Sequence, residues 1–281
     1  TRTKLEALES AITRFVMTNR RLPCPADGAL DVTDVNFGRE VWGDPVTGVC
    51  TALARGVVPW RTLGLGVNEA VDAWGTLVTY RVWAKPTLTS PINTSLAMDN
   101  GMNFSDCKPA STYAAVGSSY LCNPSQSILS VLTAANTPDQ SRGLRVCSRI
   151  TTTQPTACDI VPPTSQQVTT PVDGTGAAYV LISHGANQWL GYKPNYTQPP
   201  VAGGVFMAQP VGPGGGARER QNRNNLALRM PSTNAGFYAD DTVDERVNAA
   251  DPANSPNYYD DIVLFPTVMK VALDAGLGPQ P

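Results

Sequence analysis

The chain has 281 residues, 42 % hydrophobic and 16 % charged, enough apolar material to pack one large domain or two modest ones. Its 24 glycines and 24 prolines, set among long Ser, Thr and Asn runs, mark a loop-rich protein containing β-structure. A formal charge of −2 gives no bulk attraction to nucleic acid or membrane, and no apolar run approaches the roughly 18 residues of a spanning helix.

From Thr3 to Asn19, Leu5, Leu8, Ile12 and Phe15/Val16 recur at steps of three and four, which places one apolar stripe along a helix of about five turns. Thr3 and Glu6 have capping-box spacing. Arg20 and Arg21 fall where the last carbonyls lack partners, and Pro23 ends the run. So one-sided a helix is held by packing rather than propensity, and its stripe requires a sheet to lie on. Leu22-Pro23-Cys24-Pro25-Ala26-Asp27-Gly28 then reads as a rigid turn, and Pro59 suits the first turn of a short helix. Thr76 to Trp83 alternates, with Val78, Tyr80 and Val82 on one face of a half-buried strand. Residues 84–112 read as a long surface excursion. Ser127 to Leu132 fits a strand or a short helix. Leu144–Thr151 and Ala157–Val161 are expected to form a hairpin. Ala177 to Ser183 is nearly all apolar and is the best candidate for a central strand, with a turn at His184-Gly185-Ala186-Asn187. Residues 192–259 are rich in Gly, Pro, Asn and charge. Asp261 to Phe265 closes as a strand, followed by a helix from Pro266 through Leu273 that stops near Gly276.

Six cysteines stand at Cys24, Cys50, Cys107, Cys122, Cys147 and Cys158. No Cys-x-x-Cys pair and a single histidine argue against zinc. The expected bridges are Cys24–Cys50, Cys107–Cys122 and Cys147–Cys158, although sequence alone permits other connectivities. A bridge closing a loop of about 15 residues contributes on the order of 3 kcal/mol in the chain-entropy account. Such bridges persist in an oxidising compartment, which points to the periplasm or cell exterior.

Constellations for catalysis are sparse. Tyr238-Ala239-Asp240-Asp241 matches the Tyr-x-Asp-Asp turn in which paired carboxylates hold magnesium, but its flanks are not apolar strands. His184 is the only histidine, so any nucleophile–base mechanism must use it. Ser183, its chain neighbour, points to the opposite face of a strand, and a structural histidine at a strand end is the simpler reading. Gly212 to Arg218 lacks the Gly-Lys-Ser/Thr ending of a phosphate loop. Arg218, Arg220 and Arg223 offer contacts to phosphates or another ligand, against the plainer reading of a solvated loop. Asp260 and Asp261, with Asn187, Ser183 and carbonyls of the glycine-rich turn, are oxygen donors suited to a hard cation such as calcium, against the plainer reading of carboxylates capping turns.

Taken in order, these pieces resemble the type IV pilin-like and type II secretion pseudopilin class of Gram-negative bacteria, the prepilin cleavage/methylation family. The resemblance is carried by the stripe helix running into Arg21-Leu22-Pro23-Cys24-Pro25-Ala26-Asp27 and by Gly56-Val57-Val58-Pro59-Trp60 with Leu63-Gly64-Leu65. Asp72-Ala73-Trp74-Gly75 leading to Tyr80, Ser183-His184-Gly185-Ala186-Asn187, and Asp260-Asp261-Ile262-Val263 complete it. It covers about residues 1–83, 177–191 and 258–275.

The resemblance implies an α+β fold: an N-terminal helix packed on an antiparallel sheet of about four strands. It implies a single head over 1–281, with loop-rich insertions at about 84–176 and 192–257. It implies a hydrophobic helix upstream of Thr1 that anchors the subunit in the inner membrane and later packs in a filament. The expected role is a non-enzymatic structural subunit, minor or specialised, of a type IV pilus or type II secretion pseudopilus, at the periplasm or cell surface. Its partners are other pilin or pseudopilin subunits. The alternative is an adhesin or DNA-uptake pilin that binds a surface ligand or DNA through 192–259. No cofactor is expected except calcium, for which Asn187, Asp260 and Asp261 are the candidate ligands; in major secretion pseudopilins the loop before the closing Asp pair binds it. Here Asn187 replaces the frequent Asp, and the second insertion interrupts the site.

Overall fold

The computed structural model describes residues 1–46, 48–84, 95–97, 99, 101–102, 144, 146–147, 177–188, 191–194, 219, 222, 238–240, 243 and 258–277. The first element is helix α1, Arg2–Asn19. Leu5, Leu8, Ala11, Ile12 and Val16 are its buried residues, one stripe repeating at helical spacing. Phe15 is only half-buried, so Val16 completes the stripe. The capping-box expectation fails: the helix already includes Arg2, and Glu6 pairs with Arg2 at 3.5 Å. The helix start is instead held by tertiary contacts. Thr1 Oγ1 accepts from the Ala73 amide at 3.2 Å, and Lys4 Nζ donates to the Asn68 and Val71 carbonyls at 3.2 and 2.8 Å.

At the other end Arg20 takes a left-handed conformation, φ 54°, and its amide donates to Val16 O. Arg21 does not serve the helix carbonyls as expected. Its guanidinium stacks on Trp42, 3.8 Å from the ring centroid, and grips both carboxylate oxygens of Glu40 at 2.9 and 3.1 Å. Glu40 also accepts from the Cys24 amide at 3.0 Å. This clamp fixes the turn out of α1, and the Cys24–Cys50 disulfide fastens the same turn to the segment around Cys50, with Cα atoms 5.5 Å apart.

Among the described residues, the sheet that receives α1 has five strands, all antiparallel, in sequence order. They are β1 (Ala26–Asp27), β4 (Gly56–Val57), β5 (Thr79–Val82), β7 (Tyr179–Ser183) and β9 (Ile262–Leu264). Two small sheets accompany it: β2 (Trp42–Asp44) against β3 (Val49–Cys50), and β6 (Val146–Cys147) parallel to β8 (Tyr238–Ala239). Helix α2, Val268–Asp274, packs beside α1, and Lys270 Nζ reaches Glu9 Oε1 at 2.6 Å. Thr267 caps it by accepting from the Lys270 amide, so this helix starts just after Pro266; Gly276, φ +68°, follows its end. The fold is therefore α+β, a helical layer on an antiparallel sheet.

Several local expectations change. Pro59 opens a turn rather than a helix: the Leu63 amide bonds Pro59 O and the Leu65 amide bonds Trp60 O. That turn packs against Gly38, whose φ of +76° and missing Cβ let the Trp60 indole lie on its backbone. β5 is not half-buried, because all four of its residues are buried. Thr79 and Arg81, on the face opposite Tyr80 and Val82, have partners inside the fold: Thr79 Oγ1 lies 2.8 Å from His184 Nε2, and Arg81 Nη1 donates to Gly56 O at 2.8 Å. The expected hairpin partner of 144–151 lies outside the described residues. The pairing described for Val146–Cys147 is with Tyr238–Ala239.

Candidate metal centre

The edge strand β9 is preceded by Asp260 and Asp261, both buried. Beside them lies the turn that leaves β7, which Gly185 makes possible with φ +60°. A Cβ on Gly185 would collide with the Asp260 carboxylate, so glycine lets the turn fold directly over that side chain. The amides of Ala186 and Asn187 then donate to Asp260 Oδ2 at 2.7 and 3.1 Å, and the Tyr258 hydroxyl adds a third bond at 3.2 Å. The other oxygen, Asp260 Oδ1, is buried, and no hydrogen-bond donor among the described residues reaches it.

A third carboxylate enters from far along the chain. Glu219, 2 % exposed, accepts from Asn187 Nδ2 at 3.2 and 3.0 Å and from the Asp260 amide at 3.2 Å. Three residues on, Asn222 donates to Asp261 Oδ2 at 2.8 Å. Both have helical backbone, and this spacing turns their side chains to one face. One oxygen from each of Glu219, Asp260 and Asp261 can be chosen so that all lie within 4.8 Å of one another.

The electrostatics of this cluster are unbalanced. Among the described residues no lysine or arginine pairs with these carboxylates; the nearest basic group is His184, with Nδ1 3.8 Å from Asp261 Oδ1. Burial, then the charge of Asp261, lifts Glu219 to about 10, while the Asn187 amide partly opposes them. Burial likewise pushes Asp261 well up, with Asp260 and Asp72 adding repulsion and Asn222 opposing. Three acids crowded out of water either hold protons or share a cation.

The donors fit a hard divalent cation. All are oxygens, one is buried with nothing donating to it, and the remaining lone pairs are oriented by amides that would form the outer shell. Calcium, tolerant of irregular geometry, suits carboxylates drawn from separate stretches better than octahedral magnesium does.

Of the predicted ligands, Asp260 and Asp261 are brought together. Asn187 is beside them, and its amide nitrogen donates to both oxygens of Glu219, orienting that carboxylate. Ser183 is diverted, donating to Asp72 Oδ2 at 2.6 Å. Glu219 and Asn222 were not anticipated from sequence. The available signal was that Glu219 is the one acid between Asp173 and Asp240, set in a run read as basic. Arg218, Arg220 and Arg223 lie outside the described residues, as do Cys107, Cys122 and Cys158; Cys147 is placed in β6. His184 joins Thr79 and Asp261 in a row resembling a catalytic relay, yet Thr79 is 2 % and His184 1 % exposed, so the row props the strand end from inside. Asp240 lines a cleft with Arg2, Glu6, Glu9 and Lys270; Asp241, its partner in the Tyr-x-Asp-Asp match, lies outside the described residues. Compared with protein-family models, curated proteins and solved structures, the chain matches none.

Proposed function

We propose that the chain is the head of a non-enzymatic, pilin-like structural subunit, minor or specialised, of a type IV pilus or type II secretion pseudopilus. In this reading a calcium ion held by Glu219, Asp260 and Asp261 secures the far end of its sheet. The observation that carries the reading is the seating of α1: its apolar stripe is buried against the sheet, and its exposed face is mostly polar, with Arg2, Lys4, Glu6, Ser10 and Arg14, Met17 being its large exposed apolar side chain. Such a helix is suited to continue upstream as an anchor and as a filament spine.

The segments bearing the resemblance also pack on one another. Tyr80 Oη donates to Pro23 O at 3.1 Å, Asp72 receives Ser183, and the Gly185 turn closes on Asp260. The Cys24–Cys50 bridge suits an oxidising location at the periplasm or cell surface. Calcium would supply charge neutralisation, allowing three buried carboxylates to ionise together.

The test is the reading frame upstream of Thr1. A basic leader, a glycine, and then about 20 apolar residues with an early glutamate are expected for an anchored subunit. An ordinary cleavable export signal, or no apolar segment, overturns the filament role.

A further inference from the structure

Both sulfurs of the Cys24–Cys50 bridge are shut away from water: Cys24 is 0 % and Cys50 1 % exposed. The strands that carry Cys50 are nevertheless slight. β2 and β3 pair only with each other, apart from the five-stranded sheet, and β2 is only part-buried. Two short strands are marginal without outside support. That support converges on Arg21. Through Glu40, which accepts from the Cys24 amide at 3.0 Å, its guanidinium holds the first cysteine; through Trp42, the register partner of Cys50, it holds the second. The ring of Phe15, 4.9 Å away, ties the same group to α1. Single hydrogen bonds, from the Val41 amide to Pro25 O at 3.1 Å and from Ser95 Oγ to Gly48 O at 2.9 Å, add to the clamp.

We infer that Arg21, Glu40 and Trp42 form a gate over this bridge: a reducing thiol reaches the sulfurs only when β2 and β3 part from Arg21, and the clamp sets how often they part. Thiol–disulfide exchange requires the attacking thiolate to approach a sulfur from outside, and the closed clamp leaves no approach. Reduction by a dithiol is two such exchanges. Its first thiolate bonds to one cysteine sulfur as the S–S bond breaks, and the released cysteine thiolate takes up a proton. Its second thiolate then displaces the other cysteine, which is protonated in turn. The dithiol leaves as a cyclic disulfide, having passed two electrons to the protein. Small units open at a fraction of the cost of global unfolding. This one can do so while α1 stays on the sheet, because most of the buried stripe, from Leu5 to Ile12, lies toward the other end of the helix. The gate therefore protects a bridge whose carrying strands are too short to protect it themselves.

The sample is the full chain, with its disulfides formed, in buffer without denaturant. It is incubated with dithiothreitol, alkylated at intervals and digested, so that mass spectrometry follows Cys24 and Cys50 apart from the other cysteines. Arg21→Ala is expected to speed reduction of this bridge at least about tenfold, and Arg21→Lys by less. Ile12→Ala, a core truncation on the same helix with a similar cost in stability, is expected to leave the rate within about twofold. Should Arg21→Ala fail to fold, Glu40→Gln takes its place, with acceleration in the same direction. Equal acceleration by Ile12→Ala shows that reductant enters by global unfolding and overturns the gate. An unchanged rate in the clamp variants overturns it too, as does a wild-type bridge reduced as fast as in the unfolded chain.

Discussion

Arg21 shows how much one side chain can organise. Its guanidinium lies 3.8 Å from the Trp42 ring centroid and 4.9 Å from that of Phe15, binds Glu40 through two nitrogens, and gives Nη1 to Leu22 O. The side chains of the pair are 9 % and 13 % exposed, so water does little to screen them. Removing one partner leaves a largely buried charge, which costs about 3–5 kcal/mol. Arg21→Ala is accordingly expected to lose about that much stability in denaturant unfolding. Arg21→Lys should recover only part of the loss, because an ammonium cannot bond both oxygens in a fixed fork or stack as a plane. In a double-mutant cycle with Glu40→Gln, the coupling should exceed about 1 kcal/mol; a value near zero would show that the stacking on Trp42 carries the site. This role was not legible in the sequence, where Arg21 reads as a helix-end cation. Its true partners lie about twenty residues further on, in a stretch with no periodic signal.

At the scale of elements, α1 and β7 were the most legible. The spacing of Leu5, Leu8 and Ile12 has one helical solution, and Ala177–Ser183 is too apolar to be anything but interior. Ile12, fully buried in α1, is expected to cost about 2–5 kcal/mol when cut to alanine, whereas exposed Met17 on the same helix should change stability by less than about 0.5 kcal/mol. Equal losses at the two positions would mean that the helix does not lie on the sheet as described. β5 was misjudged for a physical reason. Alternation of apolar and polar residues normally marks a wet face, but Thr79 and Arg81 find partners in His184 and Gly56 and so remain dry. Polar letters record a need for hydrogen bonds, not for water.

At the scale of the molecule, the acid cluster links folding to protons. In chelator, the unfolded chain releases the Glu219 proton near 4.5, whereas the folded chain keeps it to about 10. Between those values the native state binds more protons, so its stability falls as pH rises. Asp261 acts in the same direction, with Asp260, Asp72 and His184 the other ionisable groups facing the cluster. The thermal midpoint in chelator is expected to decline from about pH 5 to about pH 9, and calcium should flatten the slope by replacing the protons. A midpoint that rises with pH in chelator would contradict this charge balance. Two of the three acids could be read from sequence, since Asp260-Asp261 beside a glycine turn is suggestive. Glu219 could not, because its contact with Asp260 spans 41 positions across a stretch without pattern.

The order of the strands carries a last implication. Val82 and Tyr179 are directly paired, as are Ser183 and Ile262, so each long excursion leaves the sheet and rejoins it at adjacent points. Closing a longer loop between fixed neighbours costs only about 0.6 kcal/mol per doubling of length. The entropy of such closures thus depends little on length, yet the excursions are not mere additions: Leu96, Ala97, Met102, Leu144, Val146 and Tyr238 are buried in the same core as α1 and β7. The second excursion is tied to the frame at one more point, where Glu219 accepts from the Asp260 amide.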